Sequence, residues 1–168
     1  MGRLVYLDNA ATTKTSPEVV KAMLPYFSEN YGNPSSIYTI GSEAKTAVET
    51  AREEIAASIG AQPEEIYFTA GGSEADNWAI KMTAQMLSDK GRHIITSAIE
   101  HHAVLHTCEY LEKKGFEVTY IGVDEDGVIK LDELERAIRP DTILITVMAA
   151  NNEIGTIPPA RKIVVIAS

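Results

Sequence analysis

Three short groups of residues follow predicted strands in this 168-residue chain, and their types are suited to holding a planar, phosphorylated ligand. Residues 71–73 read Gly-Gly-Ser, residues 100–102 read Glu-His-His, and residues 151–153 read Asn-Asn-Glu. Ligands of open α/β sheets gather beyond the carboxyl ends of the strands. If these strands are parallel, all three groups lie along one edge of the sheet.

The Gly-Gly-Ser turn supports two interpretations. Gly71 and Gly72 lack Cβ atoms, so their backbone N–H groups can approach an anion closely, and the following helix start adds free donors and partial positive charge. Alternatively, Ser73 is a plain N-cap that forms a capping-box pattern with Asp76. Glu74 and Asp76 would repel a phosphate unless they point away. On the local sequence alone, the capped turn is the favoured interpretation.

The histidine and the amides after the later strands are equally ambiguous by themselves. His101 is typical of a surface or capping residue at a strand-to-helix turn, or else it stacks on an aromatic ring. Asn151 and Asn152 are turn-forming residues, or amides that hydrogen-bond a ligand. The four histidines show no metal-ligand spacing, so no metal is predicted. Cys108 falls on the apolar face of a helix and is predicted to be a buried structural thiol.

The elements that must position these groups alternate between strand and helix from about residue 44 onward. Strands are predicted at 65–69, 93–97, 116–123 and 142–150. Helices are predicted at 42–60, 73–91, 103–114 and 131–139, and the first ends at Gly60. Strands separated by helices of this length indicate βαβ units, and therefore an α/β fold with a mostly parallel sheet.

Composition and charge exclude several classes of protein. The chain is 45% hydrophobic with a net charge of −9, which argues against nucleic acid as a partner. Its longest apolar run, residues 143–150, is far shorter than a membrane span. Asp8 interrupts the apolar stretch that a signal peptide would need, and the single cysteine suits a reducing compartment, so a cytoplasmic protein is expected. The length fits one domain or part of a larger one.

Five segments in order resemble the cysteine desulfurases, which are pyridoxal-phosphate enzymes of the class V aminotransferase group. They are YLDNAATT (6–13), GNPSS (32–36), FTAGGSEADN (68–77), IITSAIEHHAV (94–104) and NNEIGT (151–156). The resemblance implies the fold type I architecture, a three-layer α/β/α arrangement with a mostly parallel sheet. It further implies an N-terminal arm or small-domain segment at 1–15 and a partial cofactor-binding large domain at 16–168.

The resemblance also implies an activity and roles for single residues. Such enzymes remove sulfur from L-cysteine, giving alanine and an enzyme persulfide that feeds a sulfur acceptor or an iron–sulfur scaffold protein. By matched position, Gly72 and Ser73 would bind the cofactor phosphate, and His101 would stack on the pyridine ring. Asn152 would hydrogen-bond near the ring hydroxyl and the substrate. The loop at 33–35 would lie near the active site.

The chain departs from the family pattern in several places. Ser73 replaces a common threonine and keeps the hydroxyl, Tyr38 replaces a common histidine, and Pro158 replaces a common glutamine. The family's Schiff-base lysine, pyridinium-pairing aspartate and nucleophilic cysteine would fall beyond residue 168, and Cys108 does not match that cysteine. The isolated chain is therefore expected to be inactive, and to associate as a homodimer or with a complementary chain. Another class V enzyme, such as a selenocysteine lyase or an aminotransferase, and a non-catalytic truncated assembly partner are the alternatives.

Overall fold

A computed structural model describes residues 3–168, which divide into two compact units. One unit ends at Phe68, and the other runs over Thr69–Ser168. The predicted boundary between residues 15 and 16 is a different division, and it stays a prediction. No helix within residues 3–168 is long and apolar enough to cross a membrane.

The first unit is helical. It contains α1 (Pro17–Met23), α2 (Pro25–Ser28), α3 (Thr39–Ile59) and a 3₁₀ turn at Pro63–Glu65. The Ser16 hydroxyl caps α1 by accepting the Val19 N–H at 3.3 Å. Gly60 ends α3 in the left-handed conformation with φ of 71°, as its place in the sequence predicts.

The predicted strand at 65–69 is wrong. Glu65 closes the 3₁₀ turn, and residues 66–69 pair with no strand within the described chain. A β-rich sequence becomes a strand only where a neighbouring strand accepts its hydrogen bonds. Here the segment is held by Arg52, whose guanidinium donates to the Ile66 carbonyl and lies 4.9 Å from the centroid of the Phe68 ring.

The second unit contains a three-stranded sheet with helices on both faces. Its elements are α4 (Gly72–Met86), β1 (His93–Ser97), α5 (His102–Glu112), β2 (Glu117–Ile121), α6 (Leu131–Ala137), β3 (Thr142–Thr146) and α7 (Ala160–Ala167). The strand order is β2-β1-β3, and both pairings are parallel. The α/β class with a parallel sheet is therefore confirmed.

β1 is the centre of this unit, because all five of its residues are buried. Side chains alternate across a strand, so neighbouring residues enter different layers. Ile94 packs with residues of α4 and α5, whereas Ile95 packs with residues of β2, α6 and α7. The two clusters on opposite faces produce the three-layer arrangement.

His93 joins the three strands at the start of β1. Its side chain is 1% exposed, and its ring nitrogens lie 2.7 Å from the Thr142 hydroxyl and 2.8 Å from the Thr119 hydroxyl. Thr142 belongs to β3 and Thr119 to β2. The imidazole thus satisfies polar groups of both neighbouring strands.

The buried face of α4 differs from the stripe that the sequence suggests. The periodic residues Ala75, Ala79, Met82 and Met86 are exposed. Ile80 and Ala84 are buried instead, and both belong to the cluster around Ile94. Apolar residues occur on more than one side of α4, so periodicity alone does not select the face that meets the sheet.

Candidate functional site

The Gly-Gly-Ser turn opens α4 without a side-chain cap. Gly71 is the N-cap residue in an extended conformation, and its carbonyl accepts the N–H groups of Glu74 and Ala75, each at 3.1 Å. Ser73 lies inside the first helical turn and not at the cap. The capped-turn interpretation of Ser73 is therefore wrong, because the helix begins one residue earlier than a serine cap requires.

Three donors at this turn have no acceptor within residues 3–168. They are the N–H groups of Gly72 and Ser73 and the Ser73 hydroxyl. A Cβ atom added at Gly71 or Gly72 would meet nothing within 4 Å, so the space beside these donors is open. Free amides at a helix N-terminus are suited to binding an anion.

The acidic residue nearest the turn points away from these donors. The Glu74 carboxylate accepts the Ala70 N–H at 2.6 Å, which turns it back along the chain. The Thr69 hydroxyl donates to the Gly71 carbonyl at 3.1 Å and fixes the turn further. The sequence suggests that Glu74 would repel a bound phosphate. Because its carboxylate is hydrogen-bonded to the Ala70 N–H, this repulsion is reduced.

His101 is the N-cap of α5, and its hydrogen bond fixes its tautomer. Its Nδ1 atom accepts the Ala103 N–H at 3.0 Å, so the proton of the neutral ring resides on Nε2. The side chain is exposed. The capping interpretation is confirmed, yet capping uses only the edge of the ring. The His102 ring lies nearby in an edge contact, with centroids 6.4 Å apart.

Ser73 and His101 line the same surface groove between the starts of α4 and α5. Asn77 connects the two sides, because its amide donates to the Ser73 carbonyl at 2.9 Å and lies 3.5 Å from the Ala103 carbonyl. Lys81 also lines the groove, and its ammonium donates to the Asn77 Oδ1 atom at 2.6 Å. The groove therefore combines free amide donors, a neutral imidazole and a positive charge.

Glu100 ties the ends of β1 and β3 together. Its Oε1 atom accepts the Ser97 hydroxyl at 2.6 Å and the Met148 N–H at 2.9 Å, and the residue is only 6% exposed. Burial raises the pKa of the Glu100 carboxyl. The residue before His101 is therefore anchored across the sheet, which positions the start of α5.

The two amides at 151–152 have different environments. Asn151 is buried: its amide donates to the Ile99 carbonyl at 3.0 Å, and its Oδ1 accepts the N–H groups of Glu153 and Ile154 at 2.9 and 3.1 Å. Asn152 is exposed, and its amide donates to the Glu153 carboxylate at 3.0 Å. Asn152 does not line the groove that Ser73 and His101 share.

Sequence reasoning did not identify Glu100 and Asn151 as positioning residues. Each forms a bond to a partner about fifty positions away, Met148 and Ile99 respectively. A polar residue directly after a buried strand is the one signal that could have found them. That signal does not reveal which group such a residue contacts.

Cys108 is a buried structural thiol, as predicted. It is 0% exposed in the cluster between the sheet and helices α4 and α5, and burial raises the pKa of its thiol to about 11. A neutral thiol out of contact with solvent cannot serve as the sulfur-accepting nucleophile. Within residues 3–168, no three or more His, Cys, Asp and Glu side chains are grouped to hold a metal ion.

The loop at 33–35 belongs to the first unit and is locally ordered by its own side chains. Asn33 Oδ1 accepts the Ser35 N–H at 2.9 Å. Gly41 packs so closely that a Cβ there would lie 2.6 Å from the Ser36 carbonyl oxygen. Tyr38 is the exposed N-cap position of α3. The predicted contact of this loop with the active site stays a prediction.

Comparison with known families identifies the family to which this fold belongs. The family model for aminotransferase class V matches residues 5–168, and the chain belongs to this family. Its curated relatives include cysteine desulfurases. The cysteine desulfurase IscS of Methanosarcina thermophila is 62% identical over 161 residues, covering 96% of this chain and 40% of that protein. The IscS of Dictyoglomus turgidum is 57% identical over 167 residues, covering 99% of this chain and 42% of that protein.

Solved structures give the same result. A NifS-like protein superposes with a TM-score of 0.93 at 46% identity, covering 96% of this chain and 44% of its own. SspA, solved in complex with cysteine, superposes with a TM-score of 0.91 at 44% identity, covering 96% of this chain and 47% of its own. The resemblance to cysteine desulfurases is therefore confirmed. The chain spans about 40% of the length of the curated relatives it matches.

Proposed function

We propose that this chain provides the phosphate- and ring-binding part of a pyridoxal-phosphate-dependent cysteine desulfurase. The observation that carries the proposal is the set of free donors on Gly72 and Ser73, which open beside His101 in one groove. Gly72 and Ser73 would bind the phosphate through their N–H groups and the Ser73 hydroxyl. His101 would stack on the ring, and its Nε2–H remains free to donate.

The residues fit the cofactor chemically. A phosphate needs several donors and no adjacent carboxylate, and the turn offers three donors while Glu74 is bonded to the Ala70 N–H. A neutral imidazole stacks on a cationic pyridine ring without charge repulsion, and the Ala103 bond keeps His101 in one orientation. When bound, pyridoxal phosphate supplies an electron sink for bond cleavage in an amino acid. The residues of this chain bind and orient it.

The substrate and partners follow from the relatives and are part of the same proposal. L-cysteine is the proposed substrate, with alanine as product, because the similar proteins are cysteine desulfurases and SspA was solved with cysteine. Asn152 would hydrogen-bond near the ring hydroxyl and the substrate. A sulfur-acceptor or iron–sulfur scaffold protein is the proposed recipient. A cytoplasmic location is proposed, since a reducing compartment suits the lone thiol.

Binding of pyridoxine 5′-phosphate tests the site directly. This analogue lacks the aldehyde and cannot react with surface lysines, so its binding reports the pocket alone. We expect the chain to bind it at least about tenfold more tightly than pyridoxine without phosphate, since hydrogen bonds to a charged group contribute roughly 1.5–3 kcal/mol each. Isothermal calorimetry gives both affinities. Equal affinities for the two compounds would contradict phosphate recognition.

Two variants test whether the Gly-Gly-Ser turn provides the affinity for the phosphate group. Gly72→Pro removes one N–H at the first helical position, where proline is tolerated and the extended Gly71 is compatible with it. Ser73→Ala removes the hydroxyl. Each is expected to weaken the phosphate analogue about tenfold and to leave pyridoxine unaffected. Ser88→Ala, after the end of α4, is the matched control, and an equal loss there would contradict the assignment.

A specific observation also favours association of the chain. Large apolar side chains of the first unit are exposed, with Leu4 at 92%, Leu7 at 86% and Ile37 at 101%. Apolar surface of this kind is characteristic of interfaces. We propose that the chain forms a homodimer or binds a complementary chain. Light scattering from the purified protein is expected to show a mass above that of the monomer, and a stable monomer at high concentration would contradict it.

A further inference from the structure

His102 and His106 lie one above the other on the exposed surface of α5. They are four residues apart, their ring centroids are 5.2 Å apart, and the rings are within 18° of parallel. Both side chains are exposed. The four histidines as a set predict no metal site, but residues four apart share one face of a helix, and two histidines placed this way can bind one zinc ion. The stacked pair is therefore a finding of the structure that the prediction of no metal missed.

Glu109 prepares His106 for such a role. The His106 Nδ1 atom lies 3.1 Å from the Glu109 carboxylate, one further turn along α5. When Nδ1–H donates to this oxygen, the lone pair of the neutral ring is on Nε2. Ligating histidines usually donate their other ring N–H to a carboxylate or carbonyl in this way, which fixes the tautomer and raises the basicity of the ligating nitrogen.

We propose that His102 and His106 form a surface site for a divalent transition-metal ion of the zinc class, with Glu109 as its outer carboxylate. Zinc bonds to nitrogen of about 2.0–2.1 Å in tetrahedral geometry place the two nitrogens about 3.3 Å apart. Exposed side chains reach this separation by rotating about their torsions. Water completes the coordination, since no third protein ligand is grouped with the pair within residues 3–168.

The electrostatics around the pair allow a cation. The chain carries a net charge of −9, and the Glu109 carboxylate is next to the pair. The nearest lysine in the same groove is Lys81, whose ammonium is bonded to Asn77 Oδ1. His102 and His106 line the same groove as Ser73 and His101, but the metal would use neither the Gly-Gly-Ser turn nor His101. Binding of zinc and binding of pyridoxine 5′-phosphate are therefore separate measurements.

Zinc calorimetry on the untagged 168-residue chain tests the proposal. We expect one Zn²⁺ per chain. His102→Gln and His106→Gln are each expected to weaken binding at least about tenfold, and the double variant to abolish it. Glu109→Gln should weaken binding about tenfold, as loss of an outer partner does. Glu135→Gln removes an exposed carboxylate on α6, across the sheet from α5, and serves as the matched control, with no change in affinity expected.

The imidazole nitrogens provide a second readout that identifies the ligands. In ¹⁵N-detected spectra, added Zn²⁺ should shift the ring nitrogens of His102 and His106 and leave those of His93 and His101 in place. All of the substituted side chains are exposed, and unchanged thermal unfolding verifies that the variants remain folded. Zinc binding that persists in the double variant, or shifts confined to other histidines, would overturn the proposal.

Discussion

The two units of the chain differ in where their apolar side chains lie. Eleven of the thirteen buried hydrophobic residues within 3–168 belong to Thr69–Ser168, and the other two are alanines, Ala44 and Ala56. The first unit instead carries eighteen of the twenty-six large hydrophobic residues that are exposed. The second unit therefore has a core of large side chains, whereas the first has almost none.

The unit that contains the core of large apolar side chains also contains the candidate site. Burial of large apolar side chains is the main favourable term in folding, and short helices without it are marginal in water. The groove of Ser73 and His101 lies in the unit with the core, so its geometry is held by packing. The helices of the first unit depend more on local devices, such as the Ser16 cap and the left-handed Gly60.

The largest expected effect comes from removing apolar bulk in each unit. Ile94→Ala deletes a side chain that is 0% exposed in the second unit, and a loss of about 2–5 kcal/mol in the free energy of unfolding is expected. Ile37→Ala deletes one that is 101% exposed in the first unit, and should change stability by less than about 0.5 kcal/mol. Denaturant unfolding measures both. Equal losses would break the comparison.

The next largest effect concerns a carboxylate bonded to the backbone in each unit. Glu100→Ala leaves the Ser97 hydroxyl and the Met148 N–H without their acceptor in a buried setting, which should cost about 1–3 kcal/mol. Glu65→Ala removes an acceptor 2.7 Å from the exposed Gln62 N–H, and water replaces it, so a change below about 0.5 kcal/mol is expected. Denaturant unfolding in the same buffer compares them, and a larger loss at Glu65 would reverse the ranking.

A smaller effect depends on pH and concerns His93. Burial lowers the pKa of His93, and the charge of Arg139 lowers it further, while Asp141 and Glu117 oppose the shift. Because the folded pKa lies below the unfolded value, His93 contributes stability that is present above the unfolded pKa of about 6.5 and is lost as pH falls through the folded pKa. Stability should therefore fall more steeply between pH 7 and 5 in the original chain than in His93→Gln.

The measurement for His93 is a difference between two proteins. Glu100 changes protonation with the opposite sign, because its pKa is raised, and both proteins share that contribution. Subtracting the two pH profiles of unfolding free energy isolates His93. Parallel profiles would contradict the prediction. Residues 1–68 contain no histidine, so the pH-dependent loss of stability from histidine belongs to the second unit.

The sequence predicts the second unit better than the first, for a physical reason. Alternation of strands and helices reports a local pattern, and the β1 strand at 93–97 agrees with its prediction to the residue. Gly60 also ends its helix as predicted, since a left-handed residue is a local requirement. The segment at 65–69 differs because strand formation depends on a partner strand, which local sequence does not encode.

Some features of the candidate site are likewise predictable from the sequence, and others are not. The placement of His101 follows from the end of the parallel strand β1, whereas residues 71–73 follow a segment that pairs with no strand within residues 3–168. The structure nevertheless brings Ser73 and His101 into one groove. Asn152 lies elsewhere on the surface. The buried bonds of Glu100 and Asn151 depend on which loops meet in three dimensions, so no pattern along the chain predicts their partners.

The smallest changes in the free energy of unfolding are expected on substitution of two arginines that bind extended segments. Arg139 in the second unit contacts the carboxylates of Asp141 at 2.8 Å and Glu117 at 2.6 Å, with a side chain that is 39% exposed. Arg52 in the first unit contacts Glu49 at 3.1 Å and the Ile66 carbonyl. Partly exposed ion pairs contribute up to about 1 kcal/mol, so neither variant should unfold the protein.

The two arginines should nevertheless report through different observables. Arg139→Gln should lower the global free energy of unfolding by less than about 1 kcal/mol, because it fastens β2 to the segment before β3 in the unit that holds the core. Arg52→Gln should leave the global value unchanged and instead speed amide exchange near Ile66 and Phe68, since a region without a large core opens locally. Arg→Lys at each position keeps the charge but loses the planar fork, and should give an intermediate effect. A global loss from Arg52→Gln that equals that from Arg139→Gln would mean that the first unit unfolds together with the second, and the contrast between them would then concern surface composition alone.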